Sequence, residues 1–293
     1  EISDDTTVAS NIQHLNNSTV IVDTGKTMTY SGNVLEIGDN ALNMSGGGIF
    51  YNTGSLNLNN ASSVLKLDGI SKVEHVTFGE NLTGGSLDVD QNAKIQTISH
   101  TKSSKIDIAD QTNLTLVNAF EIPQGEIMEL KGTGGGTIDI SDNITLSGIL
   151  KLNAENNIIS GGKLIFNDGL LDLDQDASIE SEILLSKNAG MDLSSGKKLS
   201  VTKSFEVPEN LKLEIAGNDG GSLSLTDTLK IEGTIQFSPP TVSSQINYHS
   251  MIDGQLELSG GALLDVDYNT NIASNIKISG NSTIDVAPDM TLT

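Results

Sequence analysis

The chain has 293 residues, with 38 acidic side chains against 16 lysines, no arginine, and a formal charge of −22. It lacks the clustered cations that neutralise phosphates or an anionic bilayer surface, so neither nucleic acid nor such a surface is an expected partner, and with no transmembrane run or lipidation motif in the sequence no direct membrane insertion by this chain is expected. With no cysteine there are neither disulfides nor thiolate metal sites, and with no tryptophan and 3% aromatic residues the core has to be Leu, Ile and Val.

Residues 1–26 read as the end of a repeat, because Ala9-Ser10-Asn11-Ile12 and Ser18-Thr19-Val20 return at one common offset as Ala273-Ser274-Asn275-Ile276 and Ser282-Thr283-Ile284. A first long repeat then covers about 27–113. It holds a glycine run, Gly46-Gly47-Gly48, the alternating strand Ser55-Leu56-Asn57-Leu58, and the block Leu87-Asp88-Val89-Asp90. The second repeat, about 114–198, carries Phe120-Glu121-Ile122-Pro123, Gly134-Gly135-Gly136, the strand Thr137-Ile138-Asp139-Ile140, and Leu171-Asp172-Leu173-Asp174. The third, about 199–290, answers with Phe205-Glu206-Val207-Pro208, Ser222-Leu223-Ser224-Leu225, Gln255-Leu256-Glu257-Leu258 and Leu264-Asp265-Val266-Asp267. It also carries eight extra residues around Pro239-Pro240 and Tyr248-His249, read as a loop on one face. Starting in mid-pattern, the sequence reads as a fragment of a longer protein.

Within each repeat the local period is two, and each run stops at Gly, Asn or Asp, which is the mark of short strands with one buried face. No helical period is sustained. Repeats of about 85–92 residues, with no polar linker between them, predict an all-β parallel β-solenoid, expected to be right-handed. Four coils per repeat give about 13 in one continuous solenoid over 1–293, a rod on the order of 60 Å long. Three tandem β-sandwiches are the alternative, and would show linkers.

Alternation turns Leu87, Val89, Leu171, Leu173, Leu264 and Val266 inward and leaves the pairs Asp88/Asp90, Asp172/Asp174 and Asp265/Asp267 outside. Two carboxylates so spaced could serve a glycosidase, but equivalent pairs lie four coils apart and cannot converge. They read as solvated acidic patches, with calcium as the candidate ligand of these six residues. The calcium β-roll motif is absent. His14, His75, His100 and His249 have no zinc spacing and read as surface or turn residues. Lys163, Lys187, Lys197, Lys198 and Lys203 look isolated, and the absence of arginine removes the usual lyase base, so no enzyme, no catalytic residue and no cofactor other than calcium is expected. Asn-x-Thr sites such as Asn81-Leu82-Thr83 read as turns. The glycine runs read as tight corners.

Short Leu/Ile/Val strands, Asn/Asp/Gly corners, degenerate long repeats, an acidic surface and the lack of Cys and Arg together resemble the rod regions of large bacterial surface adhesins and autotransporter-type passengers. The resemblance implies an extracellular stalk at the bacterial cell surface, serving adhesion, biofilm or surface-layer assembly. Its expected partners are a protein or glycan on a host or neighbouring cell, or further copies of itself. The alternative is a polysaccharide-binding or polysaccharide-degrading β-helix, such as a tailspike or a lyase-like protein.

Overall fold

The computed structural model describes residues 1–9, 12, 16–32, 34–70, 72–79, 85–132, 134–217, 221–238 and 249–293. The extra segment at 239–248, His14 and the Asn81-Leu82-Thr83 site lie outside the described residues. Among the described residues there is no helix, and the strands pair in parallel as a β-solenoid of about 12 turns, all-β as the period of two requires. About 13 coils were expected, and the coils are not of uniform length. Residues directly beside each other in neighbouring coils are separated in sequence by as few as 19 residues, at Lys163 and Glu182, and by as many as 29, at Gln236 and Asp265.

The residues group into two compact units, 1–144 and 145–293. In the first, one face is built from Ser18–Ile21, Ala41–Ser45, Val64–Asp68, Ser86–Val89, Ser104–Ile108 and Ile127–Lys131, each hydrogen-bonded in parallel to the next. The return path of each coil supplies shorter strands, such as Ile49–Asn52 and Ser55–Leu58, or one longer strand such as Lys72–Phe78 that pairs with both. In the second unit the corresponding face runs through Ile149–Leu152, Leu170–Leu173, Ala189–Leu193, Lys212–Ala216, Thr234–Phe237, Leu263–Val266 and Thr283–Val286.

Because the register holds from coil to coil, inward residues stack in rows. Leu42, Leu65, Leu87, Ile106 and Leu130 are successive rungs of one row, and Leu150, Leu171, Met191, Ile215, Phe237 and Val266 of another. All of these side chains are buried. Each is a large aliphatic or aromatic group removed from water, worth roughly 1.5–3 kcal/mol against exposure. The six residues expected to face inward, Leu87, Val89, Leu171, Leu173, Leu264 and Val266, are all fully buried.

Corners are where the backbone needs help. Gly46 adopts φ +98, and a Cβ there would lie 2.4 Å from the carbonyl oxygen of Val22 in the coil below. Only glycine fits so close an approach, so the Gly46-Gly47-Gly48 run is a corner rather than a ligand loop. A second corner device recurs through both units. An Asp or Asn side-chain oxygen just ahead of a strand accepts the backbone N–H of a residue in the following coil: Asp5 from Thr27, Asn17 from Ala41, Asn92 from Asn113, Asp176 from Lys198, Asn188 from Lys212 and Asn269 from Thr291, all at 2.8–2.9 Å. These bonds satisfy amide groups that the strand ladder leaves over. They also fix where the next strand begins.

Candidate functional site

The three acidic pairs stand on the outer face, as alternation requires, but two of them are not open carboxylates. The Lys66 ammonium sits between Asp88, at 3.2 Å, and Asp90. Lys151 sits in the same way between Asp172, at 2.8 Å, and Asp174, at 2.6 Å. Each lysine comes from the strand one coil earlier and lies directly beside the first aspartate in the ladder. At the third pair the equivalent position is Gln236, whose amide donates to Asp267 at 2.7 Å and accepts from Lys212 at 2.9 Å. Lys212 in turn binds Glu214 at 2.9 Å.

A further carboxylate follows each pair one coil on: Asp107 beside Asp88, Asp192 beside Asp172, and Asp285 beside Asp265. Burial raises the Asp107 carboxyl above its ordinary range, and the charge of Asp88 adds to this. Asp192 is raised by burial and then by Asp172 and Asp174. Asp265 is raised by burial, by Asp267 and by Asp285, with Lys212 opposing. The lysines shift the other way. The hydrogen bond that Lys66 donates to Asp90 raises Lys66. Burial pulls Lys151 down, but its bonds to Asp172 and Asp174 outweigh this and leave it raised.

Within the second unit, Asp172/Asp174 and Asp265/Asp267 lie four strand steps apart, about 19 Å at the usual inter-strand spacing. No single reacting atom reaches both. Among the described residues no three His, Asp or Glu side chains converge as a metal ion would need. The Lys151 clamp has a direct test. Lys151→Gln places at this position the residue type of the third patch, without a lysine like Lys212 beside it, and is expected to cost about 1 kcal/mol or less at low salt. Melts repeated at 1 M salt should show the cost gone, and an undiminished cost would mean that packing, not charge, holds Lys151 in place.

Two histidines depart from the surface reading. His100 is buried, with its ring tilted against Phe78 at a centroid distance of 6.0 Å and its Nε2 hydrogen-bonded to Ser104 Oγ at 2.8 Å. Burial pushes its imidazole down to about 4, against a small opposing pull from Glu126. His249 is also buried, with its Nε2 donating to the Ser238 carbonyl and its ring 5.2 Å from Tyr268. In a narrow coil an imidazole fills the place of an aromatic side chain, which is why position alone misled. His75, by contrast, lines an open groove of about 280 Å³ with Thr53, Ser55, Thr77, Thr97 and Ser99. The lysines read as isolated are partnered in part: Lys163 meets Glu182 at 3.5 Å, Lys187 meets Asp168 at 3.2 Å, and Lys197 donates to Gln175.

A second open groove, of about 380 Å³, lies over Leu184 and Phe205 and is edged by Glu182, Glu206, Lys230 and Glu257. Its charges alternate along the ladder, with Lys230 flanked by Glu206 and Glu257, and Glu257 by Lys277. Lys230 bonds Glu206 at 3.5 Å and Lys277 bonds Glu257 at 2.9 Å. Each of these four charged groups has an ion-pair partner, Glu206 with Lys230 inside the groove and Glu182 and Glu257 with Lys163 and Lys277 beyond its lining. No helix among the described residues is long and apolar enough to cross a membrane. No known protein family, curated protein or solved structure matches the chain.

Proposed function

We propose that the chain is an extracellular structural and adhesive element, a β-solenoid stalk segment of a bacterial surface protein. The observation that supports this reading is how the outer polar groups are used. Lys66, Lys151, Lys230 and Lys277 bind carboxylates on neighbouring coils, and the corner Asp and Asn residues bind the backbone of the coil that follows. Such groups hold coils together under load instead of converging on a substrate. The partner in this reading is a protein or glycan of another cell, or a further copy. No resident cofactor is needed. Calcium up to millimolar concentration is expected to leave the melting temperature unchanged, and a rise that Asp265→Asn with Asp267→Asn removes would make calcium a ligand of that pair.

Protease shaving of intact source cells, followed by immunodetection of the chain, tests the location. Loss of signal is expected, and full retention in unlysed cells would end the surface reading. A second reading, binding of a polysaccharide, is favoured by the hydroxyl-lined groove around His75. In either case no turnover is expected. Release of reducing ends or unsaturated uronate from bacterial or plant polysaccharides, abolished by Asp172→Asn with Asp174→Asn, would replace both with an enzyme.

A further inference from the structure

We infer that, within the polysaccharide reading on which this rests, the groove around His75 binds an extended neutral glycan and Tyr51 supplies the surface on which one of its rings stacks. The groove lies wholly in the first unit and forms where two coils differ in chain length. Six residues lead from Phe50 to Leu56, but only three lead from Val73 to Val76, their partners in the following coil. The excess chain around Thr53 and Gly54 lines one wall. Asn52 ties that excess to the next coil. It is fully buried, donates to the Gly54 carbonyl at 2.6 Å and the His75 carbonyl at 2.8 Å, and accepts the N–H groups of Glu74 at 3.1 Å and His75 at 3.3 Å. Both backbone groups of His75 are thereby held, so the groove is preformed rather than assembled on binding.

The class of ligand follows from what the walls offer. Thr53, Ser55, Thr77, Thr97 and Ser99 bring hydroxyls, and no lysine or carboxylate lines the groove, on a chain whose formal charge is −22. The groove over Leu184 and Phe205, by contrast, is edged by three glutamates and a lysine. In the ladder Thr97 lies beside His75 and Ser99 beside Thr77, so groups that donate and accept recur at the inter-strand spacing of about 4.8 Å. Thr97 Oγ1 accepts from the Asn118 amide at 2.9 Å, which leaves its own proton to donate. The Ser55 and Thr77 hydroxyls bond each other, which leaves one of their two protons for a ligand. The matching partner carries no charge and presents groups that both donate and accept, as the hydroxyls of a neutral sugar do. A uronate would find no cation along these walls and a basic peptide no carboxylate, and either would lose hydration without repayment.

Tyr51 stands beside this row of hydroxyls. It lies two residues before Thr53 and next to Thr29 of the preceding coil, and it is 42% exposed. Every other aromatic side chain of Phe or Tyr among the described residues is at most 9% exposed. Its ring is a rigid, flat, apolar area with a hydroxyl at the tip, suited to the apolar face of a pyranose while the groove's hydroxyls meet the ring's polar edge. From the coil of Tyr51 to that of Thr97 and Ser99 is two inter-strand steps, on the order of 10 Å. A site of that span takes a run of sugar units rather than a single one.

The probes are cellohexaose, mannohexaose and chitohexaose as neutral glycans and hexagalacturonate as the anionic one, each titrated into the intact protein by isothermal calorimetry. Saturable binding of at least one neutral glycan is expected, with a Kd on the order of a millimolar or below, and none of hexagalacturonate. Tyr51→Ala should weaken that binding about tenfold. Ser99→Arg, which sets a bulky cation in the groove, should abolish it. Both positions are exposed, so thermal melts of the two variants should match the parent. Lys230→Gln, in the other groove, should leave binding unchanged. Binding that is indifferent to both Tyr51→Ala and Ser99→Arg, or that is lost with Lys230→Gln, would overturn the site and leave the polysaccharide reading standing. Loss with Ser99→Arg alone would overturn Tyr51 as the stacking surface, and equal or tighter binding of hexagalacturonate would overturn the neutral class. No binding of any of the four at about 10 mM would overturn the polysaccharide reading and this site together.

Discussion

Leu173→Asp is expected to unfold its part of the second unit, at a cost of roughly 4 kcal/mol or more, while Asp172→Asn one position away is expected to change stability by less than about 1 kcal/mol. Leu173 is fully buried and paired with Leu152 on one side and Leu193 on the other. A carboxylate there would have no cation and no water, and the two flanking leucines would lose their contact. Asp172 faces outward, and its removal still leaves Lys151 bonded to Asp174. Since each coil touches only its neighbours, the damage from Leu173→Asp should spread from Leu173 outward. Thermal melts would rank the two variants and amide exchange would locate the loss. Similar melting for both would mean that the strand sits in the opposite register.

The second large effect concerns pH. His100 titrates at about 4 in the fold against 6.5 for a free imidazole, because burial disfavours its charged form. Between these values the unfolded chain takes up a proton that the folded chain refuses, so stability rises with pH across this window. The contribution is complete above about 6.5 and largely lost by pH 4, a change of about 3 kcal/mol. Asp107, raised by burial and by Asp88, acts in the opposite direction, because protonation relieves its repulsion. The cleanest measurement is therefore a difference: the stability of the parent minus that of His100→Gln, from urea melts between pH 4 and 7.5. That difference should shrink by about 3 kcal/mol at the acid end. A flat difference would mean that His100 is hydrated in solution.

The features legible in the sequence were those that depend on alternation and on repetition. Period two placed Leu87 and Val89 inside and Asp88 outside, and the matched repeats excluded a single convergent acidic site before any geometry was known. What escaped was the contact between coils. Lys66 lies 22 residues before Asp88, a separation that carries no local pattern. The signal was present in part, since Lys151 and Gln236 match at the offset of 85 residues between the second and third repeats, and Lys66 and Lys151 precede Asp88 and Asp172 by 22 and 21 residues. It becomes readable only once the length of a coil is known. His100 and His249 were misplaced for a different reason. Imidazole is ambiguous between core and surface, and only a packed neighbour, Phe78 or Tyr268, decides between them.

The unequal length of the coils bears on how such a chain can change over evolutionary time. Partners stay in register whether 19 residues separate them, as at Lys163 and Glu182, or 29, as at Gln236 and Asp265, because the strands fix the rows. An inserted corner segment therefore leaves every row above and below it intact, while one residue added inside a strand would turn its leucines outward. Such a chain can acquire new surface loops without renegotiating its core. Corners are accordingly the places to graft an epitope, a tag or a binding loop, and strands are the places where even a single-residue insertion would be purged.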